Sequence, residues 1–365
     1  MPQPRVWVIG AYRAGEQSQL LALAEALGWP FEIKTLVHRW QGGLFNLFRG
    51  TGLFGIDRVR STALAAPWPD LVIAAGMRNE PVCRWIRRAS GGRTRIVHIG
   101  RPWARLHLFD LVITTPQYRL ASDESVLQNT LTLHGITRQR LDAALERHGA
   151  RLRRLPSPHI ALIVGGPSGP NAFGEHAARR LTLQASAMAR ELGGSLLISG
   201  SSRTPRCVIE TIRRTVNVPH ELYQWKPQDP DNPYFAYLGS AERIIVSCDS
   251  ISMLSEACAT RRPVYMFDLG HDHSGVGSDT RMDYSIKALA YRTLMRFGPR
   301  RLGRDISLVH AQLIRDGRAV WLGEAFTQGI DTHESDVVRA LARVHALFDQ
   351  GASRDRRTAL PSTSR

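Results

Sequence analysis

The chain has 365 residues, 43% hydrophobic and 22% charged, a balance that excludes disordered and fibrous classes and leaves room for two cores of about 150 to 180 residues each. A formal net charge of +16, carried almost wholly by Arg because Lys occurs only at 34, 226 and 287, favours nucleotides, acidic lipid surfaces or nucleic acid as partners without choosing among them. Cys83, Cys207, Cys248 and Cys258 form no CxxC pair and no metal-ligand cluster, so the reading is a reduced cytosolic compartment without structural zinc.

The first half alternates short apolar runs with amphipathic stretches, the pattern of β-α-β units feeding a parallel sheet. RVWVIG (5–10), PFEIKTL (30–36), DLVIAAG (70–76), TRIVHIG (94–100) and FDLVITT (109–115) predict strands. Between the first two, EQSQLLALAEALG (16–28) sets Leu20, Leu23, Ala24 and Leu27 at helical spacing and ends on Gly28, a residue suited to a helix C-terminus. The basic stretch RLRRLPSPH (151–159) has no apolar periodicity, and the alternation starts afresh behind it. This predicts an α/β chain of two Rossmann-like domains facing a cleft, 1–155 and 156–330. HIALIVGG (159–166), GSLLISG (194–200), ELYQW (221–225), RIIVSC (243–248) and PVYMFD (263–268) are the second set of strands, with helices near 175–193, 204–216, 234–241 and 251–260. After Gly270 a loop rich in Gly, His and Asp leads to helical segments near 281–295, 305–316 and 334–349. A C-terminal helix (331–350) and a tail of disordered composition (351–365) close the chain. Met1 to Val6 lacks the features of a signal peptide, and no apolar window predicts a membrane span.

The densest cluster of chemistry is the buried strand RIIVSC running into DSISMLSEACATRRP (249–263). Ser250 or Ser252 suits a helix N-cap, and such a start aims backbone N–H groups and the positive end of the helix dipole outward, as an anion site requires. Glu256, one turn inside, either accepts both hydroxyls of a ribose or lies on a solvated helix face. VGGPSG (164–169), with Gly165, Gly166 and Ser168, offers backbone for close approach to phosphate or sugar. SGSSRTP (199–205) adds the Ser201, Ser202 and Thr204 hydroxyls and the Arg203 fork, a diphosphate-holding set whose members are otherwise ordinary surface residues.

The segment 243–268 resembles the nucleotide-binding segment of GT-B glycosyltransferases. Together with VWVIGAYRAGEQSQLLALAEALGWPFE (6–32), PWPDLVIAAG (67–76), IGRP (99–102), FDLVITTPQY (109–118), VGGPS (164–168), SGSSRTP (199–205) and NPYFAYLGSAERIIVSCDSISMLSEA (232–257), it resembles the mitochondrial fission family, Elongated Mitochondria, over about residues 5 to 325. The resemblance implies a GT-B-like fold with more force than it implies a reaction.

In the first half, GAYRAGEQSQ (10–19) is neither a dinucleotide fingerprint nor a P-loop. Arg13, Gly15 and Gln17, with Arg101 from HIGRP (98–102), form the expected acceptor side. Glu16 is the first candidate general base, otherwise an acid in a first helical turn, and His98 the second, otherwise a core histidine. HDHSG (271–275) lacks a distant third ligand, and no metal is expected. Residues 38–60 interleave Trp40, Phe45, Phe48 and Phe54 with Arg39, Arg49, Arg58 and Arg60, either as an interfacial element on anionic lipid or as a loop over the core. No specific nucleic-acid module is present. The expected function is a metal-independent glycosyltransferase-like protein using a nucleotide sugar, UDP-type favoured, on a cell-envelope or lipid-linked acceptor, cytoplasmic and peripheral at the inner membrane face. The rival is a non-enzymatic membrane-associated factor of the same fold.

Overall fold

The computed structural model describes residues 3–39, 51–167, 172–270, 293, 303–326 and 335–358. The chain divides into two compact units, 1–135 with 333–365, and 136–332.

The first unit is a six-stranded parallel sheet of β1 (Val6–Ile9), β2 (Phe31–Lys34), β3 (Leu71–Ala75), β4 (Arg95–Ile99), β5 (Leu111–Thr114) and β6 (Val126–Gln128), ordered β2-β1-β3-β4-β5-β6. Strand alternation distributes its side chains to two cores. Val6 and Val8 meet Leu20, Leu23 and Leu27 of α1 (Ala14–Leu27), while Trp7 and Ile9 join Val82, Cys83 and Ile86 of α2 (Glu80–Ala89). Gly28 adopts φ 65° and closes α1 as expected.

The second unit holds β7 (His159–Val164), β8 (Ser195–Gly200), β9 (His220–Tyr223), β10 (Arg243–Ser247), β11 (Val264–Phe267) and β12 (Val320–Trp321), all parallel, ordered β12-β11-β10-β7-β8-β9. Its described helices are α3 (Arg138–Leu152), α4 (Glu175–Glu191), α5 (Arg206–Thr215), α6 (Tyr234–Ser240), α7 (Ile251–Ala259) and α8 (Ser307–Arg315). On one face Ile160, Leu162 and Val164 pack with Leu181 and Ala185 of α4 and Val208 and Ile212 of α5. On the other, Leu197 packs with Leu152 of α3 and with Ala236 and Tyr237 of α6. Both units are Rossmann-like, as the strand runs predict.

The units differ from the boundaries read in the sequence. The break falls at 135/136 rather than within 151–159, because α3, whose charged sequence hides its few apolar contacts, belongs to the second unit. It lies so close to α6 that a Cβ on Gly239 would sit 3.3 Å from Leu145 Cδ1. The last helix, α9 (Asp336–Thr358), returns to the first unit, burying Ala340 and Val344 in the α1 core. Asp336 fastens its start by accepting the Thr130 N–H (3.1 Å) and the Leu131 N–H (2.9 Å). The helix runs past Gly351, where the sequence reading begins the tail. Apart from Thr293, the segment expected to be helical near 281–295 lies outside the described residues. Among the described residues, no helix is long and apolar enough to cross a membrane.

Candidate functional site

Open parallel sheets take ligands outside the carboxyl ends of the strands where strand order reverses. In the second sheet this point lies between β7 and β10, whose other neighbours, β8 and β11, run outward on opposite sides. Three turns meet there: 165–167 after β7, 201–204 after β8 and 248–250 after β10.

Close packing decides which residues fit. A Cβ on Gly165 would lie 2.3 Å from Asp249 Oδ2, and one on Gly166 would lie 2.1 Å from the Arg203 carbonyl oxygen, so both positions require glycine. The Gly165 N–H donates to Ser247 Oγ (2.8 Å) and the Gly166 N–H to Asp249 Oδ2 (2.9 Å). The Ser247 hydroxyl donates to Asp249 Oδ1 at 2.7 Å. From the neighbouring turn, Arg203 donates Nη2 to Asp249 Oδ2 (3.2 Å) and Nη1 to the Pro167 carbonyl (3.4 Å). Thr204 ties the same turns together, its hydroxyl reaching the Gly165 carbonyl at 2.6 Å while its oxygen accepts the Ser201 N–H at 2.7 Å.

Asp249 is the residue that sequence reasoning missed. It is fully buried, and burial pushes its carboxyl up while the Gly166 N–H, Ser247 and Arg203 pull it down. It therefore holds two donors, the Gly166 N–H and one arm of Arg203, that the sequence reading assigned to phosphate. The signal was an acid two residues past a buried strand; apart from Ser247 on that strand, its partners come from two other turns and were not visible. His310 of α8 adds a second unforeseen support, donating Nε2 to the Cys248 carbonyl at 2.9 Å.

Ser250 is the N-cap of α7, its backbone extended and its side chain making no cap hydrogen bond, so the helix start is not closed by its own residue. Ser252 is half-buried in the first turn. Glu256 is not a solvated face residue. Its Oε2 accepts the Tyr234 hydroxyl at 2.5 Å, and burial pushes its carboxyl up to about 7 against the opposing pull of Tyr234 and Arg140. Ser168 and the HDHSG loop lie outside the described residues. Among the described residues no group of three His, Cys, Asp or Glu side chains could hold a metal ion.

In the first unit, Arg13 and Glu16 pair at 3.4 Å at the start of α1. The Gln17 Oε1 accepts the Ala11 N–H at 2.8 Å, and the Gly15 carbonyl accepts the Gln19 amide at 2.9 Å, so both serve the turn itself. Arg101 donates to the Tyr118 carbonyl at 2.6 Å. His98 is wholly enclosed, its ring tilted against that of Phe109 with centroids 5.3 Å apart, and burial pushes its imidazole down to about 4. It is the core histidine of the two readings, with no face toward a ligand. The neighbouring buried Glu80 gives its two oxygens to the Trp103 and Ala104 N–H groups at 2.8 and 2.9 Å. Of residues 38–60, 40–50 lie outside the description; Leu53 and Ile56 pack on the first unit, whereas Phe54 is 71% exposed.

The family model described as "Mitochondrial fission ELM1" matches residues 14–311. The mitochondrial fission protein ELM1 of Arabidopsis thaliana is 29% identical over 229 residues, 56% of this chain and 52% of that protein, so the match spans about half of that relative's length. An uncharacterized protein of Rickettsia prowazekii (strain Madrid E) is 25% identical over 297 residues, 72% of this chain and 82% of its own. Among solved structures, the UDP-GlcNAc 2-epimerase of Methanocaldococcus jannaschii in complex with UDP-GlcNAc and UDP resembles the chain at a TM-score of 0.49 and 10% identity, covering 94% of this chain and 99% of that one. That distant likeness says nothing of function here.

Proposed function

We propose that this chain, which belongs to the mitochondrial fission ELM1 family, binds a nucleoside diphosphate or its sugar conjugate, UDP-type favoured, at the β7/β10 edge of its second unit. The observation that carries this reading is the convergence on one sheet edge of two obligatory glycines, the Arg203 guanidinium and the unclosed start of α7. In this reading the diphosphate lies against the first turn of α7, with Ser250 and Ser252, and takes the donors of Arg203 that Asp249 leaves. Asp249 holds the two glycines and Arg203 in register. Glu256 offers ribose the oxygen not engaged by Tyr234. Donors and the helix dipole then stabilise the charge that develops on a departing diphosphate, which needs no metal.

Titration calorimetry with UDP and with uridine tests the assignment. Arg203→Ala should weaken UDP about tenfold or more and uridine little, since a charge-assisted hydrogen bond contributes about 1.5 to 3 kcal/mol. Equal losses for both ligands would sink the phosphate role.

A second reading, binding without turnover, is favoured by one observation: His98 is enclosed in the core, and Glu16, the other candidate base, is paired with Arg13. Release of UDP from a UDP-sugar in the presence of cell lipids separates the two. Glu16→Gln should abolish release if Glu16 is the base, and binding without any release supports the factor. Peripheral attachment through 38–60 belongs to the same proposal and is tested on vesicles.

A further inference from the structure

The first sheet has its own reversal of strand order, between β1 and β3, and its carboxyl edge carries a second cluster of cations. Tyr12, 65% exposed, lies between two guanidinium groups, with Arg13 Cζ 5.3 Å and Arg78 Cζ 5.4 Å from its ring centroid. Arg78 makes no ion pair among the described residues. Arg13 pairs with Glu16 at 3.4 Å, and Tyr118, in the turn after β5, stands at the same carboxyl edge of the parallel sheet. Arg101, after β4, donates to the Tyr118 carbonyl at 2.6 Å, and the Tyr118 hydroxyl lies 3.6 Å from where a Gly100 Cβ would stand. Turns after β1, β3, β4 and β5 thus bring three arginines and two tyrosines to one edge, where Glu16 pairs with Arg13 and the buried Glu80 is spent on the Trp103 and Ala104 N–H groups.

The frame beneath them is fixed in advance. Asn79, buried, donates its amide to the Gly10 carbonyl (3.1 Å) and the Ala75 carbonyl (3.0 Å), clasping the turns that carry Tyr12 and Arg78. His38 faces the Asn79 Oδ1 at 3.1 Å, and burial, aided by the Arg78 charge, holds its imidazole below the usual range. It adds no cation of its own. An edge that gathers guanidinium forks, phenol rings and the start of α1 matches the oxygens of a phosphate better than any neutral ligand.

We propose that this edge of the first unit is a separate anion site, formed by Arg13, Arg78 and Arg101 with Tyr12 and Tyr118, for a ligand bearing a terminal phosphate or diphosphate. It deepens the preceding reading by naming the acceptor's chemical class, and rests on that reading for the acceptor role. Glu16 is the site's built-in counter-charge, competing with the ligand for Arg13.

The experiment is titration of the full chain with inorganic pyrophosphate, in an Arg203→Ala background that weakens the second unit's phosphate site. Arg78→Ala should lower the remaining affinity about tenfold or more, Arg78→Lys should lose less, and Glu16→Gln should strengthen it. Flotation with vesicles containing a long-chain alkyl phosphate distinguishes the source: recovery that depends on Arg78 points to a lipid-borne phosphate, and pyrophosphate binding without such recovery points to a soluble one. Pyrophosphate binding unchanged by Arg78→Ala, with the variant folded by circular dichroism, overturns the site, as does absence of binding to either probe. Loss of UDP binding elsewhere in the chain would leave these outcomes readable, because they follow Arg78 and not Arg203.

Discussion

Glu256 carries two opposite pH dependences. Its folded-state carboxyl is raised to about 7 by burial, so the protonated form is the one the fold favours. The stability this contributes is complete below the ordinary carboxyl range and is lost as pH rises through 7. Thermal melts should therefore fall between pH 5 and pH 8 in the native chain and much less in Glu256→Gln. Nucleoside binding should run the other way, because a ribose hydroxyl bonds more strongly to the carboxylate, and uridine should bind tighter at pH 8 than at pH 6. A uridine isotherm independent of pH in the native chain would remove Glu256 from the ribose. Gly166→Ala forces a methyl group against the Arg203 carbonyl and should lower stability by about 1 to 3 kcal/mol, read by denaturant unfolding, with loss of UDP binding. At this scale the sequence was legible where residue type follows from one neighbour, as in Gly28 at the end of α1. Asp249 was not, because its meaning depends on donors from two other turns, and neither was the enclosure of His98, which needs β4 to be covered on both faces.

Strands announced themselves through runs such as VWVI, LVIAA and HIALIV, buried on both faces and so apolar at successive positions. β6 and β12 are too short to leave that trace, and α3, with RQRLDAALERHGARL, shows almost no apolar stripe although Leu141 and Leu145 lie against Gly239. The misplaced boundary follows from that one helix. α9 is the converse case: its periodicity is plain, but nothing in it says which unit it joins. Asp336 decides that by accepting two N–H groups of the first unit. Asp336→Ala should weaken the docking by about 1 to 2 kcal/mol through loss of those bonds. Hydrogen exchange of α9 amides should rise while α7 amides stay protected; equal protection of α9 in both proteins would show that its apolar face alone suffices.

Across the whole molecule, the proposals place Arg at one sheet edge of each unit, and a formal net charge of +16 leaves positive charge over for a surface. If residues 38–60 meet anionic lipid, recovery on such vesicles must weaken with salt, at about 1 kcal/mol per basic residue engaged. A Phe45→Ser, Phe48→Ser, Phe54→Ser variant should float less than the native chain, and equal recovery would leave charge as the sole attraction. The central claim, a nucleotide at the reversal of strand order in the second sheet, is tested most directly by a crystal structure of the chain with UDP. The account predicts the diphosphate against the start of α7 and Arg203, with the ribose at Glu256. Electron density for UDP anywhere else, or contacts from β7 and β10 turns that leave Arg203 and Glu256 untouched, would contradict it.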